Sequence, residues 1–260
     1  MIADLFTQIE EMTVAPGQMV LWYLGGAGYA LKSSGVTLLI DPFIGPGHPP
    51  TWTRLTPPLF SPGQVRNVQA TLLTHEHDDH TDPVALSAIR LRTDATLIGS
   101  KSSIAVAKQH GWTAKRAQIL PHHATLVFED LRITAVPMHD PNAKGSNGYV
   151  IECGATTLLH CGDSHYFPGF VDLTRRWSFH AVCVSVAENP PGKLLYMDEC
   201  DAARTARDTK ARQLILHHYD LWQGYTLDPA RVVTATAWYA PQTQVVAAPL
   251  GEPLVIGSHP

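Results

Sequence analysis

No stretch of the 260-residue chain is apolar for long enough to span a bilayer, so no membrane helix is expected. Lysine and arginine form no block. Nineteen of them stand against 23 aspartates and glutamates, for a formal net charge of −4. That argues against avid binding to a long nucleic acid. The four cysteines, Cys153, Cys161, Cys183 and Cys200, lack any paired spacing. They are expected to be reduced thiols of a cytoplasmic protein, with no zinc–cysteine site. The first residues carry Asp4, Glu10 and Glu11 and no basic segment followed by an apolar one, so no signal peptide is expected. Neither an internal repeat nor a low-complexity tract is evident. What remains is a chain 45% hydrophobic, enough for one large core of two similar halves.

Into that ordinary composition is set the run Thr74-His75-Glu76-His77-Asp78-Asp79-His80. Four metal-ligand types fall within six residues. His75 and His77, two apart, face the same way from an extended segment. Asp79 and His80 then require a turn. Buried imidazoles and carboxylates at this density each need a partner, and a divalent cation supplies one to all of them. Glu76 and Asp78, between the ligands, are expected to face solvent. The apolar residues 70–74 precede the run as a buried strand. Asp82 and Pro83 follow it as N-cap and first residue of a helix. The run is thus a loop held by rigid elements at both ends.

Other strand-like segments also end on polar residues. Residues 133–138 lead to His139-Asp140, residues 157–162 to Asp163-Ser164, and residues 213–216 to His217-His218. Strand ends of this kind can meet at one edge of a sheet sandwich. Two ions roughly 3.5–4 Å apart, bridged by a carboxylate, form the usual two-metal hydrolase centre. Strands are expected near 18–24, 27–32, 36–41, 70–74, 96–99, 125–128, 131–137, 148–152, 156–161, 180–186, 213–217 and 243–247. Helices are expected near 84–91, 102–110, 198–209 and 229–238. Six prolines lie within 46–62, a segment that reads equally as a cover for substrate or a passive connector.

The ordered set His75, His77, Asp79, His80, His139, Asp163 and His217 resembles the ligands of metallo-β-lactamase fold hydrolases. Cys161-Gly162-Asp163-Ser164-His165-Tyr166, Glu188-Asn189-Pro190 and His217-His218-Tyr219-Asp220-Leu221-Trp222 are most similar to the L-ascorbate-6-phosphate lactonase group. The resemblance implies an α/β (α+β) fold, the αββα four-layer sandwich, as a single hydrolase domain over 1–260. It implies two divalent ions bound by those seven residues. Histidine and carboxylate without thiolate fit zinc, manganese or iron. Segments 45–63 and 139–148 are compact for that group, which implies a smaller or more open pocket.

The mechanism implied is attack by a metal-activated water on a small sugar-like lactone. Asp163 bridges the ions. Asp79 orients the nucleophile or takes its proton. His218, Tyr219 or His165 donates to the substrate. Glu188 and Asn189 hold a hydroxyl or form a simple turn. Asp41 hydrogen-bonds the ligand loop. A small-molecule substrate is expected, with homo-oligomerisation left open. Two alternatives stand beside this reading: a phosphodiesterase or nuclease on the same centre, and a non-catalytic metal-binding protein.

Overall fold

The structure is a computed structural model that describes residues 4–257. In chain order its first strands are β1 Met19–Gly25, β2 Gly28–Lys32, β3 Thr37–Ile40, β4 Gly47–His48, β5 Trp52–Thr53, β6 Ala70–Leu73, β7 Thr96–Gly99 and β8 Ala117–Ile119. Then follow β9 Thr125–Phe128, β10 Leu131–Pro137, β11 Asn147–Cys153, β12 Thr156–His160, β13 Ala181–Ser185, β14 Gln213–His217, β15 Gln244–Ala247 and β16 Pro253–Ile256. The helices are α1 Leu5–Glu11, α2 Pro83–Arg92, α3 Lys101–Gln109, α4 Gly169–Leu173, α5 Glu199–Thr209 and α6 Pro229–Tyr239. None of them is long and apolar enough to cross a membrane.

Two seven-stranded sheets carry the chain, ordered β16-β1-β2-β3-β6-β7-β8 and β15-β14-β13-β12-β11-β10-β9. Each begins with antiparallel hairpins and continues in parallel: β3, β6, β7 and β8 in one, β12 to β15 in the other. Parallel neighbours need long crossovers, and α2 to α6 provide five of them. Alternation along β1 shows the layering. Met19, Leu21 and Tyr23 join the apolar cluster between the sheets. Val20, Trp22 and Leu24 join the cluster that includes Leu5, Phe6 and Ile9 of α1 and Leu86 and Ile89 of α2. A third cluster packs the outer face of the second sheet against α4 to α6. This is the expected αββα sandwich.

The same topology places the site. Parallel strands end on one edge, so β3, β6, β12 and β14 deliver their following residues to a common place. Strand β10, two antiparallel pairings from β12, runs in the same direction. Every expected strand and helix is present. Sequence reasoning missed α1, α4, β8, β16 and the β4–β5 hairpin, all of seven residues or fewer. Strand β16 starts at a proline and covers the edge of β1, a position where proline is tolerated.

Candidate metal centre

The loop between β6 and α2 is fixed from below. Asp41, the residue after β3, is fully buried at φ 41°. Its Oδ1 accepts the Thr74 amide at 2.8 Å, and its Oδ2 accepts the Thr74 hydroxyl at 2.6 Å. The same Oδ2 lies 2.8 Å from His80 Nδ1. This fixes the His80 tautomer and turns Nε2 toward the centre. The turn between the ligands closes through the amides of His80 and Thr81, which donate to His77 O at 2.9 and 2.7 Å. Asp82 then accepts from Val84 and Ala85 as N-cap of α2, and from Ile44 and Gly45 of the loop after β3.

Two clusters of potential ligands result. In each, one ligand atom per residue lies within 4.8 Å of the others. The first joins Asp79, His80, Asp163 and His218, and the second joins His75, His77 and Asp140. His80 Nε2 is 3.2 Å from Asp163 Oδ2, and His218 Nε2 is 3.1 Å from Asp79 Oδ2. In the second, His75 Nε2 lies 2.8 Å from His77 Nδ1 and 3.6 Å from Asp140 Oδ2. The donors fit divalent cations. His80 Nε2, Asp140 Oδ2 and Asp163 Oδ1 are buried without a hydrogen-bond partner, a costly state that an ion would relieve.

The electrostatics agree. Burial opposes ionisation of Asp79 and Asp163, yet the neighbouring His80 and His218 hold both carboxyls well below the usual range. Burial likewise opposes charge on His80 and His218, but Asp163 and Asp79 raise both. His75 goes the other way: burial, then His80, keeps it neutral and ready to ligate. Burial and the Asp163 charge raise Asp140.

Five of the seven residues expected as ligands fall in these clusters, and two do not. His139 is exposed, with its ring against His165 and Phe167, while its neighbour Asp140 turns inward. His217 ends β14 and keeps the strand's alternation. Its ring faces the inter-sheet core beside Tyr29 and His160, with Nε2 3.2 Å from Gly162 O. His218 follows at φ 70°, a left-handed conformation that reverses the chain and presents its imidazole to Asp79. Where two polar residues follow a strand, the sequence alone does not say which one the exit conformation turns inward.

A cavity of about 830 Å³ opens over both clusters. Its walls include Phe43, Trp52, Leu195, Tyr196 and Trp222, and its floor Asp79, Asp140 and Asp163. Pro46, Gly47, His48 and Trp52 bring the proline-rich segment into the lining, so that segment forms part of the cavity wall. Glu76 also lines the cavity and accepts the Lys144 amide instead of facing free solvent. Four expected substrate contacts lie elsewhere. The Glu188 carboxylate pairs with Arg231. The Asn189 amide caps its own loop through Leu195 N, Tyr196 N and Tyr196 O, as a turn residue does. The Tyr219 ring stacks on Tyr23, and the His165 amide donates to His139 O. Tyr196 was not foreseen. It emerges from a turn that carries no periodic signal, held by the Asn189 cap and by the pairing of Met197 with residues 186 and 187.

Comparison with known proteins places this geometry. Residues 37–219 match the family described as the beta-lactamase superfamily domain. A probable L-ascorbate-6-phosphate lactonase of Escherichia coli O127:H6 is 26% identical over 86% of this chain and 76% of its own length. Among solved structures, the metallo hydrolase Igni18 of Ignicoccus hospitalis superposes with a TM-score of 0.73 at 18% identity, covering 93% of this chain and 100% of its own. An isothiocyanate hydrolase from Delia radicum gut bacteria gives a TM-score of 0.75 at 19% identity, covering 90% of this chain and 98% of its own.

Proposed function

The chain belongs to the beta-lactamase superfamily domain family, and from that premise we propose that this hydrolase opens small lactones at a two-metal centre. Asp79, His80, Asp163 and His218 would hold one ion, and His75, His77 and Asp140 the other. Zinc, manganese or iron suits these donors. Bound there, the ions supply a hydroxide near neutral pH and polarise a carbonyl.

The residues of the chain do the rest. Asp79, kept ionised by His80 and His218, orients the attacking water. Tyr196 lies with its ring 4.5 Å from that of His218 and lines the cavity. Burial, with the Asp163 and Asp79 carboxylates, keeps its phenol protonated. It is therefore the donor to the substrate oxygen, a role that sequence alone assigns to His218, Tyr219 or His165. A protonated phenol at that place stabilises charge as the ring opens. His218 moves from substrate donor to ligand.

The observation that carries a lactone over a phosphodiester is the lining itself. Neither lysine nor arginine is among the cavity-lining residues, so a phosphoryl group meets no bidentate clamp. The relatives named as lactonases support the same class of substrate. The four free thiols suit a cytoplasmic protein, which is part of this reading. Metal-replete protein should hydrolyse small lactones measurably and a generic aryl phosphodiester weakly at most. A clear preference for the diester over every lactone would put the phosphodiesterase reading first.

A further inference from the structure

Phe43, Trp52 and Trp222 form an aromatic, braced stretch of the cavity wall. Trp222 stands 5.6 Å from Trp52 and 5.8 Å from Phe43, centroid to centroid. Tyr225 stacks on the Trp52 ring at 4.9 Å. Backbone pairing fixes the arrangement. Leu55 N donates to Leu221 O at 2.7 Å, and Gln223 N donates to Thr53 O at 2.9 Å. The Thr56 hydroxyl donates to Asp220 O at 2.7 Å. Gly47 lets the hairpin close on Trp222: a Cβ there would stand 2.7 Å from the indole, and its φ is +77°.

Arg54 braces the same wall from outside the lining. Its Nη1 donates to Phe43 O at 3.2 Å and Gly45 O at 3.0 Å, and its guanidinium lies 4.4 Å from the centre of the Phe43 ring. Its Nε and Nη1 are thus committed to backbone carbonyls, its Nη2 is buried without a partner, and Arg54 is not among the lining residues. The carboxylates around the cavity are also engaged. Asp82 is held by backbone amides, Glu76 by Lys144 N, and Asp78 by His48 at 2.8 Å. Asp79, Asp140 and Asp163 belong to the metal clusters.

We infer that Phe43, Trp52 and Trp222 form a preformed platform selecting uncharged substrates with a flat ring or apolar chain, and that phosphorylated substrates are rejected. This rests on the lactonase reading and adds the part of the substrate that does not react. An apolar substituent buried on such a wall loses little on binding, because the wall is already ordered. A phosphate placed on that wall has the Asp78 and Asp82 carboxylates in the same lining and no lysine or arginine there to pair with.

The test uses the metal-replete protein with three lactones: γ-butyrolactone, γ-phenyl-γ-butyrolactone and a 6-phosphorylated aldonolactone. The phenyl lactone should exceed the phosphorylated one in kcat/KM by about tenfold or more, through KM. In Trp52→Ala the ratio of phenyl to unsubstituted lactone should fall by about tenfold. Trp222→Phe, which keeps a ring in the buried position, should lower it less. Tryptophan fluorescence, titrated with the corresponding phenyl lactam and with inorganic phosphate, reports binding without turnover. Quenching by the lactam alone is expected. Preference for the phosphorylated lactone overturns the inference and leaves the lactonase reading standing. If no lactone is opened, the lactonase reading falls. The platform is then judged by the fluorescence alone: saturable quenching by the lactam upholds it, and no quenching overturns it.

Discussion

His218 Nε2 lies 3.1 Å from Asp79 Oδ2, while the adjacent His217 points its Nε2 the other way, onto Gly162 O at 3.2 Å. Neighbours in sequence therefore serve different layers of the fold. His218→Ala should lower bound metal by about one ion per chain. His217→Ala should keep the metal and instead lower the melting temperature, because it opens a cavity in a packed core. The same contrast applies to the other pair. Asp140→Asn should weaken the second ion, while His139→Ala should leave metal content within error. Elemental analysis after gel filtration reads both. Equal metal loss in His217→Ala and His218→Ala would contradict the assignment.

The framework of this site was legible in the sequence because its signals are local. Residues 70–82 combine an apolar strand, a dense ligand run and an Asp-Pro helix start, and each is read without knowing the fold. Asp163 follows the same logic. The structure departs from the expected ligand set where a dihedral decides. One residue at φ 70° exchanges His217 for His218. One further step beyond β10 exchanges His139 for Asp140. The aromatic platform was out of reach for another reason. Trp222 is far in sequence from Phe43 and Trp52, and it meets them because residues 53–55 pair with residues 221–223.

Asp41 touches no proposed substrate, yet it accepts from Thr74 twice and holds His80. Asp41→Ala would strand a buried amide and a buried imidazole nitrogen. A loss of roughly 3–5 kcal/mol in stability is expected by chemical denaturation. In the fraction that folds, metal affinity should drop by roughly 10–100-fold. Unchanged affinity would show that the ligand loop does not need this anchor.

In the metal-free protein, Asp163 and Asp79 raise His80, well above its ordinary value, and His218, so each keeps its proton to higher pH than a free imidazole. Their contribution to the metal-free fold is complete below the ordinary imidazole pKa. It is lost as pH rises through the raised values. Metal must displace those protons, so affinity should increase over that same range while the metal-free protein weakens. The rise in melting temperature on adding metal should therefore grow with pH. Calorimetric titration at neutral pH in two buffers of different ionisation enthalpy should show proton release on metal binding. Buffer-independent heats would contradict the raised His80.

Tyr196→Phe removes only the phenol that lines the cavity beside His218. Lactone turnover should fall by roughly 10²–10³-fold with metal content unchanged. The effect should appear in kcat more than in KM, because the hydroxyl acts as charge develops. Tyr219→Phe, whose ring packs on Tyr23, should stay near wild type. Equal effects of the two changes would remove Tyr196 from the mechanism.

The central claim is that two neighbouring clusters, and these residues within them, bind two divalent ions. Anomalous diffraction from crystals grown with metal tests it most directly. The account predicts two peaks per chain. One should be ligated by Asp79, His80, Asp163 and His218, and the other by His75, His77 and Asp140, with Asp163 near both. A single peak, no peak, or an ion bound through His139 or His217 would contradict it.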